Sequence, residues 1–252
     1  MKKSKIQWTK STWNPWHGCK KVSPGCKYCY MYRDKERYGQ SPTTVLRSKS
    51  MFYAPLKLKK GELIFTCSWS DWFIDEADVW REEAWDIIRQ TPQHTYQILT
   101  KRPERIKEQL PKYFDSLNNV WLGVSIESEE QMGRLEHLKD LPCITFASFE
   151  PLIGPINWDT RMDGLKWCII GGESGNDTGK YQYRKMELDW ALHLVDGAKS
   201  SGVPCFVKQL GTYQYKQLNL KDRHGGNLEE FPEGFQVRDF PAVYYDKHMA
   251  MA

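Results

Sequence analysis

Short β-rich runs recur along this chain, and most of them are followed by a charged amphipathic stretch. Strands separated by helical segments cannot close as hairpins, so they cross over and pair side by side in a parallel sheet. The pattern predicts strands over 63–67, 96–100, 120–126, 144–149, 167–171 and 204–208, with a further one near 6–9. Helices are expected over 27–38, 79–90, 103–113, 129–139 and 186–200, with Pro103 in a first turn. Six or seven βα repeats suit a full or partial parallel (βα) barrel better than a two-layer domain, although an open doubly wound sheet has the same local pattern. The 252 residues fit a single α/β domain of this kind, read here as a barrel-like part over 1–211 and an irregular, polar C-terminal extension or cover over 212–252.

With 40% hydrophobic and 27% charged residues, a large core can form and wholesale disorder is excluded. No run of about 18 apolar residues exists, and the start MKKSKIQW lacks the apolar stretch of a signal peptide, so a cytoplasmic protein without a membrane partner is expected. Seven cysteines, an odd number, then read as core residues, metal ligands or reactive thiols, with Cys67, Cys143, Cys168 and Cys205 assigned to apolar strands. The net charge of +4 does not decide on a partner, and the 11 tryptophans could line a pocket or stack on bases as readily as fill a core.

In a parallel barrel the functional groups sit just past the C-terminal ends of the strands. Those positions here hold Ser68, Ser70 and Asp71, then Lys101 and Arg102, Ser125 and Glu127, Ser148 and Glu150, Gly172 to Gly175, and Lys208 and Gln209. Each alone has a plain explanation as a helix cap or a solvated charge, but together they define a polar pocket. Glycines 171 and 172 after a buried strand let a ligand approach the backbone, with Glu173 beside them to hold an ammonium or a ribose hydroxyl.

The sharpest feature is Cys19, Cys26 and Cys29, a Cys-x6-Cys-x2-Cys series in a loop bent by Pro24 and Gly25. Three crowded thiolates can converge on one metal centre. A four-iron four-sulfur (4Fe-4S) cluster held by three cysteines leaves one iron open to an exogenous ligand. Adding His17 would instead complete a closed Cys3His zinc site that merely braces the loop.

The succession TWNPWHGCKKVSPGCKYCY, LTKRPERI, VWLGVSIES, FEPLIGPI, IIGGESG and VPCFVKQLG resembles a family of phage- and prophage-associated proteins with a three-cysteine motif, related to the radical S-adenosylmethionine (SAM) enzymes. The resemblance covers roughly positions 6 to 240. It implies a partial barrel, a 4Fe-4S cluster on Cys19, Cys26 and Cys29, and SAM bound at the open iron and cleaved with one electron from a donor. The usual radical SAM loop is spaced x3 then x2, and its amine-binding glycine element follows the second strand, whereas here the Gly-Gly-Glu element follows the sixth.

The resemblance implies that Tyr28 packs near the adenine and that Ser125 meets the ribose, and further cofactor contacts are expected from Ser68, Gly171, Gly172 and Glu173. Glu150, Glu173, Lys101 and Lys208 are the catalytic candidates lining a pocket for a nucleic acid or nucleotide. Arg33, Arg37, Lys101 and Arg102 are placed to meet phosphates. Two other readings stand beside this one: a zinc-stabilised nucleic-acid-binding module, and a barrel hydrolase or transferase using Glu150 and Glu173 with a structural metal.

Overall fold

The computed structural model describes residues 3–244. In chain order its strands are β1 (Ser11–Trp13), β2 (Trp16–His17), β3 (Leu46–Arg47), β4 (Leu63–Thr66), β5 (Thr95–Thr100), β6 (Val120–Ser125), β7 (Ile144–Phe149), β8 (Trp167–Gly171) and β9 (Cys205–Gln209). The α-helices are α1 (Tyr30–Arg37), α2 (Asp78–Gln90), α3 (Ile106–Gln109), α4 (Leu188–Ser200) and α5 (Gly211–Gln217). Seven strands form one sheet in the order β1-β4-β5-β6-β7-β8-β9, and β2 and β3 form an antiparallel pair.

The sheet order follows the chain throughout, and its described pairings are parallel. A doubly wound sheet reverses direction at a switch point. This sheet does not, which places the fold in the singly wound α/β class of partial barrels.

Two compact units make up the chain, one of residues 1–124 with 137–144 and one of 125–136 with 145–252. In the first, β4 is buried at every residue, as a strand covered on both faces must be. Helix α2 turns Ala84, Trp85, Ile87 and Ile88 inward at helical spacing. Its one buried cation, Arg81, donates to the carbonyls of Trp72 and Ile74 and pairs with Asp78. Trp13, Trp16 and Trp85 pack around Trp72 with ring centroids 5.0–5.7 Å apart, so these tryptophans form core and not a base-stacking face.

In the second unit β8 is wholly buried between β7 and β9. The segment after α5 lies along β9: Arg238 bridges Phe206 in antiparallel sense, Val207 N donates to Val237 O at 2.9 Å, and Asp239 N donates to Cys205 O at 2.8 Å. Phe231 and Phe235 are 3% exposed.

Several expected elements form differently. Residues 6–9 make a turn, closed by Thr9 N donating to Ile6 O, and the strand begins only at Ser11. The helix expected over 103–113 stops at Gln109, because Leu110 precedes Pro111 and adopts the extended ψ of 140° that a following proline favours. Residues Glu129–Leu138 coil as 3-10 helix, with Gly133 in the middle. Cys143 lies just before β7 and is half-buried, and Cys67 follows β4 in a left-handed conformation, φ 54°, so neither sits within a strand.

Candidate functional site

The cysteine loop belongs to the first unit, and its path is set by the residues before it. Asn14 uses its side-chain oxygen to accept from Trp69 N at 2.8 Å and its amide to donate to Ser68 Oγ at 3.0 Å. Trp16 Nε1 donates to Asp71 O at 3.0 Å. Gly18 then turns the chain with φ +98°, and a Cβ there would lie 2.2 Å from Thr44 O, so only glycine fits. Cys19 N donates to Pro42 O at 2.9 Å. A 3-10 turn, Pro24–Cys26, carries the second thiol, and Cys29 stands at the N-cap of α1. Tyr32, three residues on and on the same helical face as Cys29, donates its hydroxyl to Cys19 O at 2.6 Å and ties the loop to the helix.

None of the three cysteines is in a disulfide, and all are half-buried. Burial pushes the Cys19 thiol up to about 12, the Asp71 carboxylate adds to this, and Arg102, with Nη1 3.8 Å from Cys19 Sγ, opposes it. Burial likewise raises Cys29, against a smaller lowering by Lys101. Tyr32 is raised to about 12 by burial and, less, by Cys19, Cys29 and Cys26. Arg102 also donates to Lys20 O at 2.8 Å and pairs with Asp71 at 3.3 Å. Asp71 in turn accepts from Thr100 Oγ1 at 2.6 Å and from Lys101 N at 2.9 Å.

Among the described residues no three His, Cys, Asp or Glu side chains are arranged to hold a metal ion. The fourth ligand of the zinc reading, His17, has its Nδ1 2.7 Å from Lys35 Nζ. The three sulfurs are free thiols of one loop, the donor type that a zinc site and an iron–sulfur cluster both use.

The remaining candidates of this unit gather at the same strand ends. The Ser68 hydroxyl is held by Asn14, and Ser68 O accepts from the Tyr30 hydroxyl at 2.5 Å. Tyr28 is half-buried, with the Lys27 ammonium 5.0 Å from its ring centre. Lys101 follows β5.

A second polar cluster lies in the other unit, at the ends of β7, β8 and β9. Lys208 and Glu150 form an ion pair, and the missing side chain at Gly171 makes room for it, since a Cβ there would sit 3.2 Å from Glu150 Cδ. Ser148, two residues before Glu150 and 1% exposed, has a hydroxyl with no hydrogen-bond partner. Gly172 serves packing: a Cβ would meet Leu210 O at 2.3 Å. Glu173 is engaged by Arg184 through Nε at 2.8 Å, Nη2 at 2.6 Å and the backbone N at 2.8 Å, so its carboxylate is committed within the chain. Ser125 is buried at the end of β6, its carbonyl accepting from Arg134 at 2.6 Å, and Arg134 also pairs with the fully buried Glu127.

Sequence reasoning missed Tyr32, Arg184 and Arg134. Only Tyr32 left a readable signal, its i+3 spacing from Cys29.

Fold and site together define a singly wound parallel α/β protein with a three-thiol loop after its first strand. The chain belongs to the family described as Protein of unknown function (DUF5131), whose model matches residues 3–239. No curated protein matches it. Among solved structures, a point mutant of spore photoproduct lyase aligns with TM-score 0.44 and 12% identity, covering 69% of this chain and 61% of that one. This chain therefore spans less than two thirds of that protein's length. No helix among the described residues is long and apolar enough to cross a membrane.

Proposed function

We propose that this chain is an iron–sulfur enzyme of radical SAM type that modifies a nucleic acid or nucleotide. The observation that carries the reading is that Cys19, Cys26 and Cys29 are free thiols of one loop, which Tyr32 ties to α1 and whose first sulfur lies 3.8 Å from Arg102. When bound, a 4Fe-4S cluster with SAM supplies one-electron cleavage chemistry.

The chain's own residues do the rest. Arg102 lowers the Cys19 thiol and Lys101 the Cys29 thiol, each against a larger raising by burial. Asp71 holds Arg102 and the turn after β5 in place. Tyr32 anchors the loop through the carbonyl of Cys19. In the other unit, the Glu150–Lys208 pair and the unpartnered Ser148 hydroxyl offer donors and acceptors to a polar substrate. A hydrolase relying on Glu150 and Glu173 finds both carboxylates already paired with cations, which favours the cluster reading over it.

Protein purified without oxygen should carry about four irons and four sulfides per chain. After reduction it should convert SAM to methionine and 5′-deoxyadenosine. Cys26→Ala should lose the iron and the turnover while the circular-dichroism spectrum stays unchanged. An iron-free protein, or a zinc-loaded one, overturns the proposal.

A further inference from the structure

A cavity of about 430 Å3 opens beside the cysteine loop but is lined by none of the cysteines. Its walls are His17, Lys35, Gln40, Ser41, Thr44 and Leu46. Gln40, Ser41 and Thr44 form an exposed rim, and Lys35, only 1% exposed, lies beneath it on α1. The Lys35 ammonium has the imidazole of His17 as its partner at 2.7 Å, and no carboxylate acts on it. A buried ammonium without a counter-charge is destabilising, because nothing replaces the lost hydration of its charge. The other buried cations described in this unit are matched, Arg81 by Asp78 and Arg102 by Asp71. Among the described residues no carboxylate pairs with Lys35, and the cavity it helps to line is open.

We propose that this cavity binds the phosphate group of a small organic phosphomonoester, with Lys35 as the charge partner. Phosphate is favoured over carboxylate because a phosphomonoester has three terminal oxygens. The ammonium, the ring of His17, the hydroxyls of Ser41 and Thr44 and the amide of Gln40 are enough donors to serve all of them. The volume exceeds what a bare phosphate fills and falls in the small-ligand range, and Leu46 presents an apolar wall to the organic part. The β2–β3 pairing holds His17 opposite Leu46, so the two sides of the cavity are registered by backbone bonds before any ligand arrives. This inference does not rest on iron in the cysteine loop.

The test is calorimetric titration of the full chain, as isolated, with inorganic phosphate, uridine 5′-monophosphate and acetate at constant ionic strength. Saturable binding of the two phosphates is expected, with the ester tighter and acetate at least roughly tenfold weaker. Lys35→Met keeps the aliphatic stem and should weaken phosphate binding by roughly tenfold or more, with iron content unchanged. Leu46→Trp, at a half-exposed position that tolerates a larger side chain, should block the cavity and abolish binding even if the lysine variant fails to fold. No saturable binding of either phosphate, equal binding of acetate, or undiminished binding by Leu46→Trp would each overturn the proposal.

Discussion

Gly18 is the residue on which the cysteine loop turns. Its φ of +98° is open to glycine and strained for any other residue, and a methyl group there would run into Thr44 O at 2.2 Å. Gly18→Ala should therefore cost roughly 2 kcal/mol or more in urea-unfolding stability and shift Cys19 away from Arg102. A variant as stable as the parent, with unchanged iron content, would show that the turn is not required. Arg102 matters at the same scale for a different reason. It touches Cys19 Sγ, Lys20 O and Asp71 at once, so it joins the loop to the end of β5 across 83 residues of sequence.

At the scale of elements, the short 3-10 turn Thr160–Met162 shows how local charge sets pH behaviour. Its N-cap Asp159 accepts from the backbone N of Arg161 at 2.9 Å and from the Arg161 guanidinium, which also reaches Glu129. The Arg161 side chain is the main cause that lowers the Asp159 carboxyl to about 2, and Glu129 is lowered too, first through the backbone N of Asn157. A carboxylate whose folded pKa is depressed stabilises the protein above its unfolded pKa near 4, and that stability is lost as pH falls toward 2. The groups are exposed, so the amount stays below about 1 kcal/mol. Thermal melts of the parent should fall more steeply than those of Asp159→Asn between roughly pH 4 and 2. Parallel curves would count against the cap.

At the scale of the whole molecule, the residues after α5 are bonded along the edge strand β9 of the second unit. Besides the backbone bonds to β9, Asp239 O accepts from Trp167 Nε1 at 2.8 Å, and the rings of Trp167 and Phe240 stack at 5.4 Å. Removing everything after Gln217 should uncover the edge of β9 and bury less of Trp167, giving a lower melting temperature, faster proteolysis and aggregation. A truncated chain that melts and stays dispersed like the parent would make the segment a dispensable cover.

The parallel α/β layout was legible in the sequence because apolar runs and amphipathic stretches report local burial one element at a time. Six of the expected strands, from 63–67 to 204–208, overlap observed ones for that reason. The first strand was misplaced because Ile6 and Trp8 look β-forming, while Trp8 is buried from a turn. The cysteines were legible as a group because they share one loop. Partners distant in sequence were not: Arg102 lies 83 positions from Cys19 and, within the second unit, Lys208 lies 58 from Glu150.

By itself, then, the sequence determined that strands and helices alternate, that crossovers make the sheet parallel, and that three thiols occupy one loop. Those properties depend on residues close along the chain. Tertiary structure alone decided that the sheet winds in one direction, that Glu173 is closed off by Arg184, and that a buried Lys35 meets an imidazole and no carboxylate. Such pairings follow from how elements pack, and a side chain's charge partner is set by distance in space, on which spacing in sequence has no hold.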